Sequence, residues 1–467
     1  MFHVEQTALF LAATALVAAA EVGSSAPLSP PALQLALATE NAEAREYIQL
    51  GMLDLLLGWE ESARLHFVKA LERDDMCSLA YVGLMMTEPE PRLRDQRLAE
   101  LSERINELPA TPIEGFYLAT FLKLLLNDHH GAAEDFCGRA QQFKADTLSA
   151  CWGILLLHCE DVGYDEDGRA RPLQQRALHL AEELYKMHPK DPLVCFVRAY
   201  VEQSAPSVSE QALEAAEQCA AALPSHPIPS HLLGHLLYRN GQAAEAVPHF
   251  MAAVKSATRK DIPEWESSVL MTSRLYVSTA MWSAGMNRKA LATRRAMTAV
   301  PFDREHADAP AVILHRWEAR TLPLRVLVLN PATPTLRFIN AASKAAEVKP
   351  AAEGEDPVLK VRDCLRAALY ARYYMAARKP AEAARSLKIA EQALAEFEST
   401  RERTFARGVH YLTPWVRALE ACEVALASAR AEVFESSAEV WKDLARRSVR
   451  PVTLMLPPVI PQRADKK

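Results

Sequence analysis

Residues 47–70 read YIQLGMLDLLLGWEESARLHFVKA, and residues 230–253 read SHLLGHLLYRNGQAAEAVPHFMAA. The two stretches share one skeleton. A Leu-Gly step (Leu50-Gly51, Leu233-Gly234) is followed seven residues after its glycine by a second glycine (Gly58, Gly241). Five residues on comes Ala (Ala63, Ala246), then Phe after four (Phe67, Phe250) and Ala after three (Ala70, Ala253). Steps of four and three place the Ala, Phe and Ala on one face of a helix. The second glycine suits a helix end, where a residue without Cβ takes left-handed backbone. The first glycine marks a close approach between helices. Each stretch is therefore expected to be a helix–turn–helix pair, which cannot bury its apolar face alone and must stack on neighbours.

This order of small and large residues resembles the tetratricopeptide repeat, here in a degenerate, bacterial-type form. Looser copies extend it. Ala177, Ala181, Leu184 and Pro189 repeat the second-helix pattern, and Ala212, Ala216, Cys219 and Pro224 follow 35 residues later. Gly285, Ala290 and Met297 continue it, with Arg294 in place of a large apolar residue. Ala133, Cys137 and Ala140, and later Ala383, Leu387 and Ala390, fit as well. The expected fold is all-α, an α-α superhelix or solenoid of about ten helix pairs with a period of about 34 residues.

Working outward, residues 27–320 read as an N-terminal array and 359–447 as further pairs, with an irregular segment and linker at 321–358 between them. The best linker is Lys349–Pro357 (KPAAEGEDP). Leu322–Leu329 (LPLRVLVL) suits a strand or a helix, and its helical flanks favour helix. Thr87–Arg94 (TEPEPRLR) should separate helices, and Glu160–Pro172 is an acidic loop. In that loop Asp165–Gly168 hints at calcium, but Gly163 and Gln174 stand where two ligands are needed. Residues 448–467 form an extended tail. At the other end, Thr7–Ala20 (TALFLAATALVAAA) has the length of a signal-peptide core, and Ala18-Ala19-Ala20 offers small residues for cleavage. Residues 1–26 are thus a candidate signal peptide, with export to the periplasm if it acts as one and a cytoplasmic chain otherwise. No other segment reads as a transmembrane span.

Composition agrees with this picture. Of 467 residues, 50% are hydrophobic, 24% charged, and only 15 are Gly against 29 Pro. That poverty of glycine argues against phosphate-binding loops and against an all-β chain. The net charge of −6, with basic clusters flanked by acids, argues against nucleic acid. Eight cysteines include no Cys-x-x-Cys, so most are expected to pack as small apolar residues. Motifs for nucleophilic hydrolases, nucleotide binding or zinc proteases are absent, and neither an enzyme nor a cofactor is expected.

His231 and His235 stand one helical turn apart and together suit two ligands of a metal, which would need a third from elsewhere. The resemblance implies a different use for them. In tetratricopeptide arrays the first helix of each pair lines a concave groove, and the inward offsets fall here on His231, His235, Tyr238 and Arg239, then on Thr279 and Trp282. Trp152 and Arg372 hold equivalent places elsewhere. Tyr, Trp and Arg favour recognition surfaces. The same offsets of the first pair are Ile48, Met52 and Leu55, so an extra helix at Ala32–Thr39 is expected to cover the groove there. The Lys and Asn pattern of chaperone-binding members is missing. The expectation is a non-enzymatic scaffold holding a protein or peptide segment. The alternatives are a metal-dependent protein using His231 and His235, and an envelope protein binding a solute or glycan. The oligomeric state is not legible.

Overall fold

In the computed structural model the described residues are most of 35–293, 317–346, 357–406 and 421–430. Among them the protein is all-α. Its one β feature is an isolated bridge between Tyr164 and Ala170 in the acidic loop. The chain divides into two compact units, with the boundary between Pro263 and Glu264. That boundary falls inside the stretch 27–320 expected to be one array. The linker at 349–357, the candidate signal peptide and the tail lie outside the described residues.

Among its described residues unit 1 holds six helix pairs: α1 (Ala42–Leu57) with α2 (Glu60–Arg73), α3 (Ser78–Met86) with α4 (Pro91–Arg104), and α5 (Pro112–Leu125) with α6 (His129–Gln142). Then come α7 (Thr147–Glu160) with α8 (Pro172–Met187), α9 (Pro192–Tyr200) with α10 (Glu210–Ala222), and α11 (Pro227–Arg239) with α12 (Ala243–Ala257). Proline opens α4, α5, α8, α9 and α11, where its missing N–H costs nothing and its φ suits the first turn. The segment Thr87–Arg94 does separate helices, with α3 ending at Met86 and α4 starting at Pro91.

The two helices of a pair have different surroundings. All nine residues of α9 are buried, as are Pro227 to Tyr238 of α11. Second helices bury one stripe: Gln174, Ala177, Ala181 and Leu184 on α8, and Ala212, Ala215, Ala216 and Cys219 on α10. A helix apolar all round belongs inside and a striped one outside. First helices therefore form an inner layer, with α1 packed on α3, α3 on α5, α7 on α9 and α9 on α11, and second helices form the outer layer.

Phe67 shows why the small residues recur. Its ring fills a slot between α1 and α3, so close that a Cβ on Gly51 would lie 2.7 Å from the ring and one on Gly83 2.4 Å. Phe250 fills the matching place against Gly234, where a Cβ would approach to 3.0 Å. Gly58 ends α1 at φ 87°, its N–H bonding back to Asp54 and Leu55 carbonyls, a geometry that costs other residues strain.

The expected N-terminal helix at 32–39 is not formed over its described part. Leu35–Asn41 is extended and turned because its backbone groups are taken elsewhere. Glu114 Oε2 accepts from Ala38 N (2.9 Å), Thr111 Oγ1 donates to the Ala36 carbonyl (2.7 Å), and Asn41 caps α1 through Ala44 N. The strand-like stretch Leu322–Leu329 is helical at its described residues, as its flanks suggested.

Unit 2 holds α13 (Ser268–Ser283), α14 (Leu336–Ala345), α15 (Val358–Ala376) and α16 (Pro380–Ala406). Its core joins Trp317, Leu324 and Ile339 to Val361, Leu365, Ala368, Phe397 and Leu426. The eight cysteines are free thiols, seven of them buried. Burial pushes the thiols of Cys77 and Cys195 up to about 12 and that of Cys137 to about 11, so these are packing residues and not nucleophiles.

Candidate functional site

The best-defined candidate is α11. His226 caps it, its Nδ1 accepting from Ile228 N at 3.3 Å, and Pro227 follows at the first position. Pro229 and Gly234 then let the helix run tightly against α12. His231 lies edge-on to Phe250, ring centroids 5.2 Å apart. Arg239 closes the helix by donating to the carbonyls of Gln203 and, at 2.5 Å, Ala205, which ties α11 to the loop between α9 and α10.

The sequence-predicted residues are placed as follows. His231, His235, Tyr238 and Arg239 share α11, but the first three are only 2%, 0% and 8% exposed. All three are interior side chains, since α11 is buried from Pro227 to Tyr238. Arg239 is half-buried and engaged with backbone. Thr279 sits on α13 in the second unit, half-buried, its hydroxyl bonded back to the Leu275 carbonyl at 3.0 Å. Trp282 is also on α13, and its side chain lies outside the described residues.

Trp152 and Arg372 are buried elsewhere in the fold. Trp152 stacks on Phe136 at 6.0 Å and meets Phe121 edge-on at 5.3 Å, filling the space between α5, α6 and α7. Arg372 is fully buried, and its Nη1 donates to the Val328 carbonyl at 3.2 Å, holding a helix end. Both are packing residues. The described geometry brings together only the four on α11.

A second polar cluster, not anticipated from the sequence, lies between the first and sixth pairs. Asp54 of α1 has one oxygen 3.0 Å from His66 Nδ1 and the other 3.3 Å from His226 Nε2. All three are buried. Since His226 Nδ1 accepts from Ile228, its Nε2 carries the hydrogen and faces the carboxylate. Burial alone would raise the Asp54 value, but the contacts with His226 and His66 outweigh it and hold the carboxyl at about 2. Its signal was present in the sequence as the lone acid of LDLLLG (53–58). Another buried imidazole, His158, donates from Nδ1 to Gln174 Oε1 at 2.7 Å, while Gln174 Nε2 donates to the Val201 carbonyl. Burial drives His158 down to about 4, so it is neutral in the fold.

Among the described residues no group of three His, Cys, Asp or Glu side chains is arranged to hold a metal ion, and no helix is long and apolar enough to cross a membrane.

No family model and no curated protein matches this chain. Among solved structures it is similar to the TPR domain of P58(IPK), at 12% identity, covering 87% of this chain and 97% of that one with a TM-score of 0.20. The paired-helix architecture rests on the chain's own geometry.

Proposed function

We propose that the protein is a non-enzymatic scaffold of tetratricopeptide type that holds a protein or peptide segment through the first helices of its array, with α11 at the centre. One observation carries this reading. At inner positions where α1 has Ile48 and Met52, α11 has His231 and His235. An imidazole brings a donor and an acceptor to a place where an aliphatic side chain offers neither. That polar capacity on an inner helix supports recognition of a protein or peptide segment by α11. Arg239, partly exposed, is the flanking contact in this reading. The apolar run at 7–20 supports export, which N-terminal sequencing of the mature protein tests.

The experiment is to give α11 the residues of α1, as His231→Ile with His235→Met. The double variant is expected to match or exceed the parent in thermal stability while losing the partner captured by crosslinking in the native host. Retained capture by a stable variant places recognition elsewhere.

A further inference from the structure

The contact between the first and sixth pairs has a different balance from the contacts between consecutive pairs. Consecutive pairs meet through rings and small residues, such as Phe67 against Gly83 and Phe136 against Trp152, with ion pairs such as Arg176–Glu134 beside them. The long-range contact is mainly polar. Asp54 holds His66 of its own pair and His226 of the sixth. Trp59, in the turn between α1 and α2, stands edge-on to His226 at 5.1 Å, and the Arg259 guanidinium lies over its ring at 5.4 Å. Arg259 Nη1 donates to Ser62 Oγ at 2.9 Å, and its other nitrogens grip Asp261 at 2.9 and 2.6 Å. Asp261 also meets Lys69 of α2 at 3.6 Å, while Lys69 and His66 both lie against Tyr47. Two ends of the sixth pair, at 226 and at 259–261, thus grip one turn of the first.

Charged and polar groups regain hydration when they part, so such a contact separates at far lower cost than an apolar one. The buried rings that consecutive pairs share, such as Phe67 and Phe136, have no such exit. We propose that this junction is a reversible clasp, which keeps the array of unit 1 curled over the inner faces of its first helices and admits a partner to α11 when it parts. The partner clause rests on the scaffold reading above; the opening itself does not.

The test therefore uses a small probe and no partner. Ser62→Cys with Arg259→Cys is prepared in the full chain and compared with and without a short bis-maleimide bridge between the two new thiols. Diethyl pyrocarbonate acylation of each histidine is then followed by peptide mass spectrometry. Loss of the Arg259 bonds is expected to raise the acylation of His226, His231 and His235 about tenfold in the unbridged form, the factor for a hydrogen bond to a charged group. The bridge should restore protection. His158, buried among α7, α8 and α9, reports global unfolding and should label at the same rate in both forms. Equal acylation of His231 and His235 with and without the bridge overturns the clasp. If His158 rises too in the unbridged form, the milder Arg259→Gln replaces it, and unchanged His231 and His235 labelling in that variant also overturns the proposal. Capture lost in the His231→Ile, His235→Met variant concerns recognition alone, so the two readings fail separately.

Discussion

At the scale of single residues, aromatic rings in glycine-lined slots hold consecutive pairs together. Phe67 is fully buried between α1 and α3. Phe67→Ala is expected to lower the unfolding free energy by about 3–5 kcal/mol, the usual loss for a buried Phe, measured by urea titration. Buried ionisable groups add a pH dependence with a defined sign. His158 is neutral in the fold with a value near 4 against an ordinary 6.5, so the unfolded chain binds the extra proton. Its contribution is complete above pH 6.5 and declines as pH falls toward 4, by about 3 kcal/mol. Urea midpoints at pH 7 and 4.5 should show that decline, and His158→Gln should flatten it. Asp54 acts lower. Held at about 2 against 3.8, it contributes above pH 3.8 and is lost as pH falls toward 2. The Gly and Phe positions were legible because they recur at fixed offsets. Asp54 and His226 were not, because 172 residues separate them and no period links them.

Among the elements, helix starts are where sequence and structure agree best. Proline and capping residues act through their immediate neighbours, so their meaning is readable in a short window. The segment before α1 shows the limit. Ala-Leu-Gln-Leu-Ala-Leu-Ala-Thr (32–39) has strong helix formers, yet its described part is extended. Glu114, from the next pair but one, takes the Ala38 N–H that a helix would have used internally. Glu114 also accepts from Thr111 N at 2.7 Å, completing a reciprocal cap on α5. Glu114→Ala should leave both amides without that acceptor, costing about 1–2 kcal/mol. Hydrogen exchange at Ala38 and Thr111 should accelerate together, whereas α9 should exchange as before. The burial of the groove candidates on α11 has a related reason. Offsets predict which way a side chain faces within its pair, and they carry no information on how tightly successive pairs curl around it.

For the whole molecule, the paired all-helical plan was legible and the division between units was not. The boundary at Pro263 falls after Thr258–Pro263 (TRKDIP), too short and ordinary to stand out beside KPAAEGEDP at 349–357. Two units with separate cores should unfold in two calorimetric transitions, and Phe67→Ala should shift only one of them. A single transition moving as a block would show the units to be cooperative. An open stack of pairs is also indifferent to how many it contains, since each pair answers only to its neighbours. A first pair bound to a sixth removes that freedom. Inserting or deleting one pair between α3 and α10 would carry His226 and Arg259 past Asp54 and Ser62 by one step of the curl. The number of pairs from α1 to α12 is then a fixed tooth count, set by the junction rather than by any one neighbour.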